Sequence, residues 1–321
     1  MHVKLLRPWQ CAGAREDGMQ LGIVGLGRMG GNMARRLRRA EIPIVAYNRN
    51  AEVSAALAAE TGLTPVARLA DLVARLQPPR AVWTMLPAGA VTDAHIDELV
   101  PLLAAGDVLI DGANGHYRDA VARGAALARR DIQFVDAGVS GGVWGLDNGY
   151  CLMLGGERAA IGRIRPAIEA LAPAADRGWV HCGPAGSGHF VKMIHNGIEY
   201  GMMQAMAEGF ALMQAKGEFD LDLAAIAETW RHGSVVRSWL LDLTADFLKD
   251  DPALAAIAPQ VVDSGEGRWT VQEAVDLGVP APVIALSLMT RFASQGKGDY
   301  AARVLAMMRK GFGGHAVRKQ D

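Results

Sequence analysis

Four side chains that can transfer protons or form hydrogen bonds recur at a helical spacing in the second half of the sequence. They are Lys192, His195, Asn196 and Glu199. At about 100° per residue, positions i, i+3, i+4 and i+7 fall on one stripe of a helix. The surrounding stretch is rich in Met, Ile and Gly, which is not typical of a solvent-exposed face. The pattern therefore favours a catalytic stripe over a solvated one.

A lysine and a glutamate on one stripe can carry out two separate proton transfers. Burial and neighbouring positive charge lower the pKa of a lysine, and burial raises the pKa of a glutamate. Lys192 is therefore predicted to act as a proton carrier, and Glu199 to deliver a second proton. No metal site is predicted from His181, Cys182 and the two histidines that follow, because their spacing matches no structural zinc pattern.

The segment GLGRMG has the G-x-G-x-x-G spacing of a dinucleotide-binding turn. Its first glycine permits the turn, its second admits the pyrophosphate, and its third lets the helix pack on the strand. The motif lies between the strand-like LGIV and the helix-like NMARRLRRA, as a βαβ unit requires. Dinucleotide binding is therefore predicted for Gly25, Leu26, Gly27, Arg28, Met29 and Gly30.

Asn48, Arg49 and Asn50 end the second predicted strand, where the residue that contacts the adenosine ribose is expected. An NAD enzyme has a carboxylate there for the 2′-hydroxyl. This sequence has none, and a guanidinium can pair with a 2′-phosphate and stack on adenine. NADP is therefore the predicted cofactor. NAD is the alternative, in which Arg49 is a solvated turn residue.

The elements around these motifs define the fold class. Strand-like and helix-like segments alternate through the first half of the sequence, which indicates a parallel sheet with helices on both faces. From Gly188 onwards the pattern is helical. The predicted fold is an α/β Rossmann-type dinucleotide-binding domain followed by an all-α domain. The predicted parts are a loose N-terminal extension (1–18), a Rossmann-type NADP-binding domain (19–182) and an all-helical substrate and dimerisation domain (183–321).

Two segments of the helical half are predicted to lack regular structure. SGEGRWT, from Ser264 to Thr270, is predicted to be a loop. The final segment, GFGGHAVRKQD, is predicted to be an extended tail, because it is rich in glycine and has no hydrophobic period.

Charge and composition exclude several classes of protein. The 321 residues carry 33 Lys and Arg against 34 Asp and Glu, a formal net charge of -1. This balance provides no global field for nucleic acid or an anionic membrane, and no apolar run approaches the roughly 18 residues of a membrane span. The three cysteines lack a paired spacing, which suits a reducing cytosol. A cytoplasmic protein that binds neither nucleic acid nor membranes is predicted.

Three stretches together resemble the 6-phosphogluconate dehydrogenase family: GLGRMGGNM, DAGVSGGVWG and, above all, GSGHFVKMIHNGIEYGMMQ. The resemblance runs from about Met19 to His315, and the length matches the short bacterial form. It implies oxidative decarboxylation of 6-phosphogluconate to ribulose 5-phosphate and carbon dioxide, with reduction of NADP or NAD, in the pentose phosphate pathway or gluconate utilisation. It also implies a homodimer or a higher homo-oligomer with a shared active site.

The family pattern implies a role for each matching residue. Lys192 resembles the general base that takes the C3 hydroxyl proton and then acts as an acid toward the 3-keto intermediate. Glu199 resembles the acid that protonates C1 of the enediol. Leu86 and Asn114 extend the cofactor site. The residues that would hold the sugar acid and its phosphate are Asn114, Ser140, Gly141, Gly142, Lys192, His195, Asn196, Glu199, Tyr200 and Arg291, with Arg309 and His315 supplied by the neighbouring subunit.

The sequence departs from the family pattern at three positions. Gly115 stands where the family commonly has Ser, and Ser264 and Glu266 stand where longer members place Lys and Thr on the phosphate. A carboxylate that faces a phosphate opposes binding, so more of the phosphate affinity is expected from Arg291 and Arg309.

Two other functions remain open. The first is a β-hydroxyacid dehydrogenase that oxidises a small unphosphorylated hydroxy acid, for which Glu199 is dispensable. Such enzymes share the glycine motifs and the catalytic lysine but not the HNGIEYG stretch. The second is an NADPH-binding regulator without catalysis, which predicts dinucleotide binding and no turnover.

Overall fold

A computed structural model describes residues 19–318. The predicted extension over residues 1–18, and residues 319–321 at the other end, lie outside the described residues. By its internal contacts the chain divides after Lys192, inside a helix. None of the helices between residues 19 and 318 has the length and apolar character needed to cross a membrane.

Residues 19–192 contain one sheet of eight strands. The strands are β1 (Leu21–Val24), β2 (Ile44–Tyr47), β3 (Thr64–Val66), β4 (Ala81–Thr84), β5 (Val108–Asp111), β6 (Gln133–Ser140), β7 (Cys151–Gly156) and β8 (Trp179–Gly183). Their order is β3-β2-β1-β4-β5-β6-β7-β8. Strands β1 to β6 are parallel, β7 is antiparallel to β6, and β8 is parallel to β7. The first six strands have the doubly wound order of the Rossmann fold, which confirms the predicted fold class.

Seven helices connect these strands, and an eighth leads into the second part. They are α1 (Arg28–Arg39), α2 (Ala51–Thr61), α3 (Leu69–Arg75), α4 (Ala90–Leu99), α5 (Tyr117–Ala128), α6 (Gly145–Asn148), α7 (Arg158–Leu171) and α8 (Ser187–Ala215). Helices α5 and α7 are absent from the predicted elements, because their sequence signals are weak. Helix α5 buries only Ala120 and Leu127, which leaves a weak apolar stripe, and α7 contains Pro166 in its interior.

Alternate strand residues pack into two apolar clusters, because successive side chains of a strand point to opposite faces of the sheet. Ile23 and Trp83 belong to one cluster, and their neighbours Val24 and Val82 to the other. Helices α1, α2 and α7 cover the first face, and α3, α4 and α5 cover the second. Helices on both faces leave the carboxyl ends of the strands as the edge where a ligand binds in such folds.

The second part of the chain is helical and contains the remainder of α8 and five further helices. They are α9 (Leu223–Trp230), α10 (Trp239–Asp250), α11 (Glu266–Asp276), α12 (Pro282–Ser294) and α13 (Asp299–Gly313). Helices α9 and α10 pack together through a small cluster of Ala227, Leu241, Ala245 and Leu248, against which Phe210 of α8 lies.

Two predictions about this part are wrong in part: residues 264–265 and 314–318 do lack regular structure, but the residues next to them are helical. Glu266–Thr270 is the first turn of α11 rather than a loop, because the chain makes its sharp turn one residue earlier, at Gly265 with φ +108°. Helix α13 continues to Gly313, and the left-handed Gly314 (φ +65°) ends it by donating its N–H to the carbonyl of Lys310. Each glycine costs about 1 kcal/mol relative to alanine in a helix, which the helix-forming AARVLAMMRK before it outweighs.

Candidate active site

The turn after β1 has the backbone geometry that a dinucleotide requires. Gly25 has φ +98°, which L side chains rarely adopt, and a Cβ on Gly30 would collide with the carbonyl oxygen of Gly25. Nothing lies within 4 Å of a Cβ built on Gly27, the residue that precedes α1. The first N–H groups of a helix lack intrahelical partners and attract phosphate. The close approach of α1, followed by open space at its first turn, fits a bound pyrophosphate.

The two asparagines after β2 hold this turn in place. Oδ1 of Asn48 accepts the N–H of Leu26 at 3.0 Å, and Nδ2 of Asn48 donates to the carbonyl of Asn50 at 3.0 Å. The Asn50 side chain accepts the N–H of Glu52 at 2.9 Å and so caps α2. Arg49 between them is exposed and forms no hydrogen bond or ion pair with any residue of the described part of the chain. Its donors are therefore available to a ligand.

The predicted cofactor and substrate residues of this part come together at the carboxyl edge of the sheet. Leu86 follows β4, and Asn114 follows β5 with φ +52°. The Asn114 side chain donates to the carbonyl of Val139 at 3.1 Å and accepts its N–H at 2.9 Å. These two bonds tie the end of β5 to the end of β6, where Ser140, Gly141 and Gly142 follow. Asn114 thereby fixes the segment that carries the predicted substrate contacts.

Arg36 on α1 holds the loop that follows those residues. Its guanidinium donates to five backbone carbonyls at 2.7 to 3.3 Å, those of Leu146, Asp147, Ala170, Leu171 and Ala172. These carbonyls lie at or beside the C-terminal ends of α6 and α7, where helical carbonyls lack intrahelical partners. One side chain of the cofactor-binding helix thus fixes the segment after Gly142. Arg36 is not among the predicted site residues.

Lys192 is buried beside β6, with 6% of its surface exposed. A Cβ on Gly138 would lie 2.5 Å from the Cβ of Lys192, which places the lysine stem directly against the strand that leads to Ser140. Burial raises the pKa of the neighbouring Cys151 thiol, and the positive charge of Lys192 opposes that shift. The burial on which the predicted proton-carrier role of Lys192 depends is therefore present.

The other three members of the stripe follow on the same helix. Nδ1 of His195 lies 3.0 Å from Oδ1 of Asn196 and 3.9 Å from Oε2 of Glu199. The Glu199 side chain is 40% exposed, so the burial expected for it is not found in this chain. Glu199 lies on an exposed flank of α8, where its neighbours Ile198 and Met202 are exposed as well. The spacing indicates a shared face, and the three side chains do lie together.

Tyr200 and Arg291, the two predicted phosphate contacts of this part, are stacked. The guanidinium carbon of Arg291 lies 3.5 Å from the centre of the Tyr200 ring, and its Nη1 donates to the carbonyl of Val262 at 2.9 Å. The Tyr200 hydroxyl donates to Asp263 at 3.3 Å and accepts the N–H of Ser264 at 3.2 Å. A cation, a phenol and a loop N-terminal to α11 are therefore gathered at one place.

The acidic groups of this loop already have partners. The Ser264 hydroxyl donates to the carboxylate of Glu266 at 2.6 Å. Burial disfavours the charge of Asp263, but hydrogen bonds from Arg268, Gly265 and Tyr200 outweigh it and lower the pKa of the carboxyl. Asp263 and Arg268 are not among the predicted site residues, because their pairing is visible only in the fold.

Arg309 and His315 are not part of this cluster. Both are exposed, and neither forms a hydrogen bond or an ion pair with another residue between 19 and 318. His315 contacts the ring of Phe312, with the ring centres 6.3 Å apart.

Known proteins resemble this chain along most of its length. The family model of the NAD binding domain of 6-phosphogluconate dehydrogenase matches residues 20–183, and that of the C-terminal domain of 6-phosphogluconate dehydrogenase matches residues 188–318. An NAD(+)-dependent, decarboxylating 6-phosphogluconate dehydrogenase of Haloferax volcanii is 42% identical over 304 residues, which cover 94% of this chain and 100% of that protein. A putative 6-phosphogluconate dehydrogenase of Bacillus subtilis is 40% identical over 302 residues, with 94% and 100% covered.

A solved structure has the same fold. It is the Plasmodium falciparum 6-phosphogluconate dehydrogenase, determined in its apo form, with its cofactor NADP+ and with its substrate 6-phosphogluconate. The TM-score is 0.80 at 27% identity, and the match covers 94% of this chain and 66% of that one. The resemblance found in the three sequence motifs is thereby confirmed. With both domain models matched in order along its length, the chain belongs to the 6-phosphogluconate dehydrogenase family.

Proposed function

We propose that this chain catalyses the oxidative decarboxylation of 6-phosphogluconate to ribulose 5-phosphate and carbon dioxide. NADP is the proposed cofactor, and NAD is the alternative. The observation that carries the proposal is the buried Lys192 beside the strand that leads to Ser140, with Glu199 on the same stripe of α8. The relatives named decarboxylating 6-phosphogluconate dehydrogenases support it.

The reaction needs a hydride acceptor and three proton transfers, two through Lys192 and one from Glu199. The nicotinamide of a dinucleotide bound at the turn after β1 supplies the hydride acceptor for C3. Lys192 takes the proton of the C3 hydroxyl as the hydride leaves, and then returns a proton to the C3 oxygen while the carboxylate departs as carbon dioxide. Glu199 delivers a proton to C1 of the resulting enediol, which gives ribulose 5-phosphate.

The remaining site residues bind and orient the substrate. Ser140, Asn196, His195 and the backbone of Gly141 and Gly142 hold the sugar acid in the proposed site. Its phosphate is held by Tyr200 and Arg291, because a guanidinium fork suits a phosphate dianion. The proposed division of labour assigns the dinucleotide to residues 19–182 and most substrate contacts, including those to the phosphate, to residues 183–321.

A second copy of the chain completes the proposed site. Arg309 and His315 are exposed and lack polar partners among residues 19–318, which suits side chains that act in a neighbouring subunit. The proposed assembly is a homodimer or a higher homo-oligomer, and the proposed location is the cytoplasm.

The proposal is tested by following cofactor reduction with 6-phosphogluconate, in parallel with NADP and NAD, while released carbon dioxide is measured in the same samples. Reduced cofactor and carbon dioxide in a one-to-one ratio are expected. Reduction with 3-hydroxyisobutyrate or a similar small acid alone makes the chain a β-hydroxyacid dehydrogenase. NADPH binding without any turnover makes it a regulator.

Replacing Arg49 with Ala is expected to shift cofactor choice. A charge-assisted bond to the 2′-phosphate contributes about 1.5–3 kcal/mol, so kcat/KM for NADP should fall roughly 10- to 100-fold and that for NAD by less than about threefold. Arg68→Ala is the matched control, since Arg68 is exposed in the same part of the chain and pairs with Asp71. Equal losses for the two cofactors contradict recognition of the 2′-phosphate by Arg49.

Replacing Glu199 with Gln is expected to slow the last step selectively. Positioned acids contribute typically 10²- to 10⁴-fold, so incorporation of solvent deuterium at C1 should slow by roughly 10²-fold or more. The first turnover of cofactor reduction should keep its rate. Glu208→Gln is the control, because Glu208 lies on the same helix, is exposed and bonds to Gln204. An unchanged rate of deuterium incorporation removes Glu199 from the proposed role.

A further inference from the structure

Asp136 is a buried carboxylate to which the proposed reaction assigns no role. It lies within β6 at 0% exposure, between the apolar Val135 and Ala137. A buried charge is unfavourable unless it is paired or hydrogen-bonded. Its register partner on β5, Asp111, has an ion pair with Arg123 at 2.5 Å. No residue of the described chain forms an ion pair with Asp136.

The partner of Asp136 is the beginning of α8. Its Oδ1 accepts the N–H of Gly186 at 2.6 Å, and its Oδ2 accepts the N–H of His189 at 2.7 Å. With α8 beginning at Ser187, these are the N-cap and N3 positions. A capping box satisfies both N–H groups with side chains of the helix itself. Gly186 has no side chain, so a single carboxylate on the sheet makes both bonds and meets the positive end of the helix dipole.

Close packing fixes the first turn of α8 on the strands. A Cβ on Gly188 would lie 2.5 Å from the carbonyl oxygen of Asp136 and would also collide with that of Met153. No side chain therefore separates this turn from the backbone of β6 and β7. Nε2 of His189 donates to the carbonyl of Asp111 at 3.1 Å and adds an anchor on β5. The start of the helix is held on three adjacent strands.

This anchoring determines where Lys192 lies. Lys192 follows His189 by three positions and so lies on the same side of α8. Gly138 follows Asp136 by two positions and so lies on the same face of β6. The Cβ position of Gly138 is the one that meets the Cβ of Lys192 at 2.5 Å. Helix α8 therefore lies against β6 at Lys192 in the same register as at the Asp136 carboxylate, one helical turn earlier.

We propose that Asp136 is a positioning residue, whose carboxylate fixes the first turn of α8 on the sheet and thereby places Lys192 against Gly138 of β6. This inference rests on the proposed function for its consequence in catalysis. The anchoring of the helix is independent of the proposed function.

The first test compares two buried aspartates. In Asp136→Asn, an amide NH₂ group replaces one carboxylate oxygen and faces the backbone N–H of Gly186 or His189. We therefore expect kcat to fall about 10- to 100-fold, while KM for the cofactor stays within about threefold. Asp107→Asn is the matched control. Asp107 is equally buried and accepts the N–H groups of Arg80 and Ala104, but it precedes β5 at the opposite edge of the sheet. The kcat of Asp107→Asn should stay within about threefold of the wild-type value, although its free energy of unfolding falls.

The second test needs no substitution. Hydrogen exchange in the wild-type chain should show the amides of Gly186 and His189 exchanging only through global unfolding, as slowly as the centre of α8. Faster exchange at these two amides overturns the anchoring, whether or not the Asn variant folds. An unchanged kcat in Asp136→Asn, or an equal loss in Asp107→Asn, overturns the positioning role. Wild-type protein without 6-phosphogluconate turnover refutes the proposed function and leaves the exchange result standing.

Discussion

Replacing Lys192 with Met is expected to abolish turnover while leaving the dinucleotide site intact. Methionine has a similar length and suits a position with only 6% exposure, so the fold should be retained. A missing general base costs roughly 10²- to 10⁴-fold, and this lysine serves in two steps, so kcat should fall by about 10³-fold or more. Stopped-flow cofactor reduction and carbon dioxide release should be lost together.

The control for this experiment is cofactor binding. NADPH titration by fluorescence should give dissociation constants within about threefold for the Met variant and the wild type, because the turn after β1 is untouched. Lys249→Met on α10 removes an exposed lysine and should leave kcat unchanged. Retained turnover in the Lys192 variant removes this residue from the role of base, and lost NADPH binding shows that the substitution has damaged the fold instead.

Replacing Arg36 with Ala is expected to cause the largest loss of stability among the arginines of α1. The substitution removes donors to five carbonyls at helix ends. The carbonyls of Leu146 and Leu171 keep a second donor, from Arg39 and from the N–H of Tyr150, and the other three lose the guanidinium as their partner. Hydrogen bonds from a charged group contribute about 1.5–3 kcal/mol each, and single substitutions rarely exceed 4–5 kcal/mol. The free energy of unfolding should therefore fall by about 3 kcal/mol. KM for 6-phosphogluconate should rise, because the segment after Gly142 loses its support.

Arg39→Ala on the same helix is the matched control for urea unfolding. The Arg39 side chain is 57% exposed and pairs with Asp147, which is 75% exposed. Exposed pairs contribute about 0.2–1 kcal/mol, so this variant should differ little from the wild type. Similar losses for the two arginines contradict the clamp described for Arg36. A stability loss without a change in KM separates the clamp from substrate binding.

The fold was largely predictable because hydrophobic period and glycine position are local signals. Strands that alternate with helices identified the doubly wound sheet, and GLGRMG identified its first turn. The helical segments that were not predicted also have local causes. The apolar stripe of α5 is narrow, Pro166 lies inside α7, and the glycines at the end of α13 predict a break although the preceding residues favour helix.

The site was only partly predictable. Spacing along a helix shows which residues share a face, but it does not show whether that face is buried. Lys192 and Glu199 share a stripe, yet the first is buried and the second is 40% exposed. Contacts between distant segments are not visible in a pattern. Arg36 is one of four arginines in ARRLRR, with nothing local to distinguish it. Asp136 left a usable signal, since a lone carboxylate inside the apolar QFVDAGV requires a partner.

The hydrogen bond between Asn48 and the N–H of Leu26 bears on how cofactor choice changes in evolution. One oxygen at position 48 is enough for that bond, and an aspartate offers the same oxygen with a negative charge added. Arg49 forms no hydrogen bond or ion pair with any residue between 19 and 318, so its substitution removes no such bond from that range. The shape of the glycine turn and the sign of the charge at the ribose are therefore separately inherited traits. Positions 48 and 49 are therefore expected to set the choice of dinucleotide together, and an aspartate at position 48 gives up the bond from Nδ2 to the carbonyl of Asn50.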